Sequence, residues 1–174
     1  MRSAERAARR RLAAALLIAA SLVLVVGAAT RTTQAQQMRR KLLASFPRGL
    51  MSVRTTAGSV LNFKIWVANT PERSEQGLMF VRHLADHQAM LFPFTGHGPI
   101  VMWMKNTYLP LDMLFVDRHG RITEIARRTK PLSLDLIYAP SGTRAVIEMR
   151  GGDCRHLGID VGDAVLSDAL KPAR

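Results

Sequence analysis

A chain of 174 residues with 48% apolar side chains has room for one domain with a real core plus a processed or flexible end. Its formal charge of +12 resembles a nucleic-acid signature until residues 1–35 are set aside; 19 basic and 12 acidic side chains then remain, a balance of +7. The basic clusters Arg39-Arg40-Lys41 and Arg127-Arg128-Thr129-Lys130 carry no interleaved aromatic residues for base stacking, so they read as solvated surface and no nucleic-acid partner is expected. Cys154 is the single cysteine, which excludes an internal disulfide.

Residues 1–35 read as an export signal. Arg2, Arg6, Arg9, Arg10 and Arg11 precede an uncharged run from Leu12 to Ala29, and small-residue cleavage contexts follow at Gly27-Ala28-Ala29 and Thr33-Gln34-Ala35. The expected location is the periplasm. The run also reaches the length that spans a bilayer, so an uncleaved inner-membrane anchor with a periplasmic domain is the alternative, and that segment is the only membrane contact expected. Residues 36–49 form a basic tether or loosely docked arm, and residues 50–170 form a single domain, expected to be monomeric.

Within the domain, Met51 to Thr55 and Val60 to Ala68 alternate like the strands of a hairpin around Ala57-Gly58-Ser59. Thr70-Pro71-Glu72 starts a short helix that ends near Gly77: threonine caps, proline suits the first turn and glutamate suits the positive end of the dipole. Leu78-Met79-Phe80 is expected to enter the core. Ala89 to Phe94 and Ile100 to Lys105 read as central strands, separated by a turn at Gly96 to Pro99. Leu111 to Val116 is apolar on both faces except for Asp112, which predicts a strand covered on both sides. A turn at Asp117 to Gly120 leads into a strand over Arg121 to Arg127. Thr129 to Thr143 is a long loop, Ala145 to Met149 a strand, Gly151 to Gly158 a short helix, and Ala164 to Ser167 a last strand. The sum is a compact α+β fold, a mostly antiparallel sheet curled toward a small barrel, with two short helices.

The stretch Met102 to Asp112 holds the best polar candidates. A symmetric hairpin through Asn106 to Leu111 would set Lys105 opposite Asp112, Trp103 opposite Leu114 and Val101 opposite Val116. The simpler reading is a salt bridge pinning the hairpin, with Asn106 at the turn. The functional reading is a charged pair beside Trp103 that captures a ligand or does acid-base work, with Asn106 supplying hydrogen bonds. Met102 and Met104 would lie beside Met113 and Phe115; a thioether copper site is conceivable there, and a methionine-rich core is the plainer account. His83 and His87 have the spacing of two helix-borne ligands but lack a third, and His97, His119 and His156 fall in or near turns, so neither a metal nor a cofactor is expected. Cys154, at a helix start, reads as either a reactive or an inert half-buried thiol. Glu148, alone among apolar neighbours, either faces solvent or answers a basic group such as Lys105.

From about Leu50 to Val165 the chain resembles the uncharacterised family called domain of unknown function 192. The resemblance rests on Val67-Ala68-Asn69-Thr70-Pro71-Glu72-Arg73, Gly77-Leu78-Met79-Phe80, Met90-Leu91-Phe92, Met104-Lys105-Asn106-Thr107, Pro110-Leu111-Asp112, Ala145-Val146-Ile147-Glu148, and Gly158-Ile159 with Gly162-Asp163. Val81 after Phe80 and Ala89 before Met90 depart from the pattern. The resemblance implies a small α+β domain, export in many bacterial members and no established activity. Taken with the residues, it suggests an exported domain that binds a small molecule, glycan or envelope protein near Trp103, Lys105, Asn106 and Asp112. The alternative is a cofactor-independent hydrolase or lyase using Lys105, Asn106, Asp112 and Glu148.

Overall fold

The computed structural model describes residues 41–96 and 98–171, all within a compact unit that begins at Lys41. The expected export segment, the first five residues of the tether and His97 lie outside them. Among the described residues no helix is long and apolar enough to cross a membrane.

The first hairpin forms as its alternation predicts. Strand β1 (Arg48–Arg54) pairs antiparallel with β2 (Val60–Val67). Thr55 ties the turn, its backbone N–H donating to the Ser59 carbonyl at 2.9 Å and its hydroxyl accepting the Ser59 N–H at 3.0 Å. Helix α1 (Pro71–Gln76) begins at Thr70, whose hydroxyl accepts the Arg73 N–H, and stops at Gly77. There follow β3 (Gln88–Pro93), the two-residue β4 (Val101–Met102), β5 (Leu111–Asp117), β6 (Ile122–Ala126), the two-residue β7 (Ile137–Tyr138), β8 (Thr143–Arg150), α2 (Asp153–Leu157) and β9 (Ala164–Ser167).

Seven strands form one sheet in the order β6-β5-β8-β3-β2-β1-β9; β2 and β3 run parallel and every other neighbouring pair is antiparallel. The sheet curls until its two edges meet at one end. Val165 donates to the Gly120 carbonyl at 2.7 Å, Ile122 to Asp163 at 3.0 Å and Gly162 to Ile122 at 2.8 Å, so the ends of β6 and β9 satisfy each other's edge groups.

Side-chain alternation gives the sheet two cores. The inner one gathers Met51, Val53, Phe63, Ile65, Leu91, Leu114, Val116, Ile147 and Val165 from strands all around the curl. The outer one is built on Trp66, Met90, Phe92, Leu111, Met113, Phe115 and Val146, and is covered by Leu43, Phe46, Leu78, Val81, Leu84, Met102 and Met104. The tether is therefore docked by Leu43 and Phe46 before β1 starts. Buried on both faces, β5 reads as the continuous apolar run that it is.

Three local expectations change. Ile100 to Lys105 contributes only the short β4, which pairs with β7 in a separate two-stranded sheet, Val101 opposite Tyr138. The partners of β5 are β6 and β8, so Val101 does not oppose Val116, nor Trp103 Leu114; Leu114 lies between Ile125 and Ile147. Phe80 does not enter the core. Held at φ 62°, it is 44% exposed and meets Tyr108 edge-on, while Leu78 and Met79 turn inward.

Candidate functional site

The expected hairpin pair is separated by the sheet itself. Asp112 alternates with Leu111 and Met113, so its carboxylate lies with Leu114 on the inner face, opposite Met149 in register. The connection bearing Lys105 packs on the outer face through Met102 and Met104. The Lys105–Asp112 pairing is thus wrong. Asp112 is fully buried, and its oxygens accept backbone N–H groups from Arg128 at 2.8 Å, Gly152 at 2.9 Å and Cys154 at 3.0 Å. It pins the start of α2 and the end of β6 to β5, a structural assignment for that carboxylate.

Lys105 is exposed, its ammonium 5.6 Å from the centre of the Trp103 ring. Asn106 takes a left-handed conformation at φ 55°, which its short amide tolerates. Its carbonyl accepts the Phe80 N–H at 2.8 Å and its amide lies 3.8 Å from the Met79 sulfur, so it ties the 104–107 segment to the 78–80 segment. Met102, Met104, Met113 and Phe115 share the outer core, as the plainer reading of the methionines has it, although the hairpin invoked to bring them together does not exist.

Between those two segments and the sheet lies a cavity of about 320 Å³, lined by residues 74–79 of α1 and its exit together with Phe92, Phe94, Val101, Met102, Trp103, Thr107 and Glu148. Its floor is Glu148. In register, Trp66, Met90, Glu148 and Met113 form a row across β2, β3, β8 and β5, so the carboxyl stands alone in an apolar rank. The residue is 4% exposed, and among the described residues none gives it a hydrogen bond or an ion pair. Burial pushes its carboxyl up from the ordinary value of 4.5 to about 8. Neither of the two expected situations for Glu148 applies: it faces neither open solvent nor Lys105, but a cavity.

Thr129 fastens the segment between Met104 and Leu111. Its hydroxyl lies 3.0 Å from the Leu111 carbonyl and 3.1 Å from the Met104 sulfur and accepts the Leu111 N–H at 3.3 Å. The loop that follows is held by Leu132 donating to Thr107 and Ala139 to Ile100. Val101, Trp103, Leu134, Leu136 and Tyr138 are exposed on these segments.

A larger groove of about 1240 Å³ borders Met51, Phe63, His87, Arg118 and Arg144, and every ionisable residue lining it is exposed or half-buried. The smaller cavity is preferred because a buried carboxyl with no partner among the described residues is a costly feature that a merely structural wall does not need. His83 and His87 sit on a non-helical connection, with His87 against Phe63, and no group of three or more His, Cys, Asp or Glu side chains among the described residues could hold a metal. Cys154 is buried; burial and the nearby Asp112 charge raise its thiol well above the usual range, which makes it an inert thiol.

The family model for DUF192, described as an uncharacterised conserved group, matches residues 52–167. The chain belongs to this family. Among solved structures, a protein of Sinorhizobium meliloti 1021 named as a candidate transcription regulator is 35% identical, with a TM-score of 0.69 over 72% of this chain and 97% of that one. A protein of unknown function from Novosphingobium aromaticivorans DSM 12444 is 34% identical, with a TM-score of 0.64 over 67% of this chain and 83% of that one. No curated protein matches. Members of the cavity wall come from the segments that carry the family resemblance: Gly77-Leu78-Met79, Phe92, Thr107 and Glu148. Of the sequence-level candidates, Trp103 and Glu148 meet in the cavity, Asn106 supports its wall, Lys105 stands at Trp103 and Asp112 is elsewhere. Met79, Phe92, Phe94 and Thr107 were missed as site residues, since nothing short of the tertiary fold brings α1 next to β8.

Proposed function

We propose that this domain is a noncatalytic receptor for a small ligand, held in the cavity floored by Glu148. The observation that carries the reading is that carboxyl, buried with no hydrogen-bond or ion-pair partner among the described residues at the base of a concave, mainly apolar and aromatic site. Ligand pockets combine such walls with a few orienting polar groups, and about 320 Å³ stands at the small end of their range. Catalysis finds less support. Lys105, Asn106 and Asp112 do not converge, the cavity's hydroxyls, Ser74 and Thr107, both donate to backbone carbonyls, and among the described residues no second buried acid lines the cavity beside Glu148. The proposal includes export, on the strength of the basic residues and uncharged run of the first 35 residues.

The S. meliloti relative's name points toward transcription. In this chain Arg127 is engaged with Asp160 at 3.0 Å and no aromatic residue is interleaved with its basic cluster, which favours the ligand reading over nucleic acid. A thermal-shift screen of the full chain against amines, sugars and cell-wall fragments tests the proposal. A ligand of the folded state at a hundred times its Kd adds about 2.7 kcal/mol and raises the melting point by several degrees. The rise should shrink in Trp103→Ala, an exposed position. Silence across the screen, or hits indifferent to that substitution, would contradict it.

A further inference from the structure

The cavity's ionisable groups are opposite in kind to those that dominate the chain. Although the protein carries +12 overall, the lining holds, among the described residues, two carboxyl groups, Glu75 and Glu148, and no lysine, arginine or histidine. Both of its hydroxyls and one Gln76 amide N–H already donate to backbone carbonyls: Ser74 to Ala68 at 3.1 Å, Gln76 to Leu42 at 2.8 Å and Thr107 to Lys105 at 3.2 Å. An anionic ligand would therefore meet two acids and, among the described lining residues, no cationic group. A cation would meet the acceptor at the floor, an acid nearer the rim, and aromatic walls whose faces attract positive charge. Trp103 already displays that attraction, with the Lys105 ammonium 5.6 Å from its ring centre.

From this we infer that the ligand of the Glu148 cavity is an organic cation, an amine or alkylammonium with an apolar body, whose charged head pairs with Glu148 while its body packs on Trp103, Phe92 and the Met79 and Met102 thioethers. The inference rests on the receptor reading and adds the chemical class. The head group supplies the partner that Glu148 lacks among the described residues and favours the ionised carboxylate, and an ion pair away from water is stronger than the same pair at the surface. Thioether and aromatic walls suit the apolar body, because methionine adapts its shape to the group it packs on.

Three probes of nearly equal size separate charge from shape: benzylamine, benzyl alcohol and benzoate, each titrated into the full chain at about pH 8.5, above the value of about 8 at which the Glu148 carboxyl releases its proton, and followed through the methyl signals of Met79 and Met102. The amine should bind wild type roughly tenfold or more tighter than the alcohol, with benzoate weakest. Glu148→Gln should bring amine and alcohol within about threefold of each other, and methyl signals of Met79 and Met102 that stay near their wild-type positions in the free variant show that the cavity has kept its shape. Should the alcohol or benzoate match the amine in wild type, the cation assignment is overturned and the receptor site stands. Should no probe move those two methyl signals, both fall. The wild-type comparison needs no variant and decides the matter even if Glu148→Gln does not fold.

Discussion

Replacing Glu148 with glutamine should change how stability depends on pH more than it changes stability itself. The carboxyl titrates at about 8 in the folded domain and near 4.5 when the chain is open to water. Below pH 4.5 both states hold the proton and burial imposes no electrostatic cost. Between the two values the unfolded chain releases its proton while the folded one keeps it, so stability falls as pH rises, by about 1.4 kcal/mol per pH unit and about 5 kcal/mol in all. Above pH 8 the full cost is present. Glutamine has nearly the same shape and no charge, so the variant should lose this slope. Its amide leaves donors unpaired in the cavity, a cost of about 1–3 kcal/mol that does not vary with pH. Urea unfolding of both proteins at pH 5, 6, 7 and 8 measures the difference directly, because every other titrating group cancels. The variant should be the weaker protein at pH 5 and the stronger at pH 8. Parallel stability curves would refute the burial of an unpartnered carboxyl.

Other consequences are simpler to check. Asp112→Ala removes the acceptor of three backbone N–H groups, two of them at the buried start of α2, and should cost about 3–5 kcal/mol in urea unfolding; a loss under 1 kcal/mol would return Asp112 to the list of functional candidates. Gly120→Ala should open the seam between β6 and β9, since the new Cβ would stand 2.7 Å from the Val165 carbonyl at a φ of +76°. Faster hydrogen exchange at Val165, with a loss of about 1–3 kcal/mol, is the expected result. The Cys154 thiol should react with a disulfide reagent no faster than the domain unfolds, and prompt labelling of the native protein would contradict its burial.

Local chemistry made much of the scaffold legible. Thr70-Pro71 started α1, the Asp117 to Gly120 turn separated β5 from β6, and the unbroken apolar run at Leu111 predicted a strand covered twice. Pairing was the part that failed. An apolar run at Ile100 to Lys105 followed by Asn106 and Pro110 has the composition of a hairpin, yet β5 takes β8, more than thirty residues later, as its inner neighbour. Nothing in the alternation of either strand encodes that choice, because a strand buried on both faces offers the same apolar edge to several partners. The site followed the same division. Glu148 stood out in the sequence as one acid among apolar residues, but its meaning depends on α1, β4 and Thr107 arriving around it. Lys105 and Asp112, close in sequence, fall on opposite faces of the sheet once β4 leaves for β7.

Ligand entry into the Glu148 cavity and entry into the larger groove are told apart by the methionine methyl groups. Met79 and Met102 line the cavity, whereas Met51 lines the groove. A methyl-carbon spectrum recorded while benzylamine is titrated into the full chain should show the Met79 and Met102 signals moving together along one binding curve while Met51 stays in place. Movement of Met51 with Met79 and Met102 fixed would place the site in the groove and contradict the account.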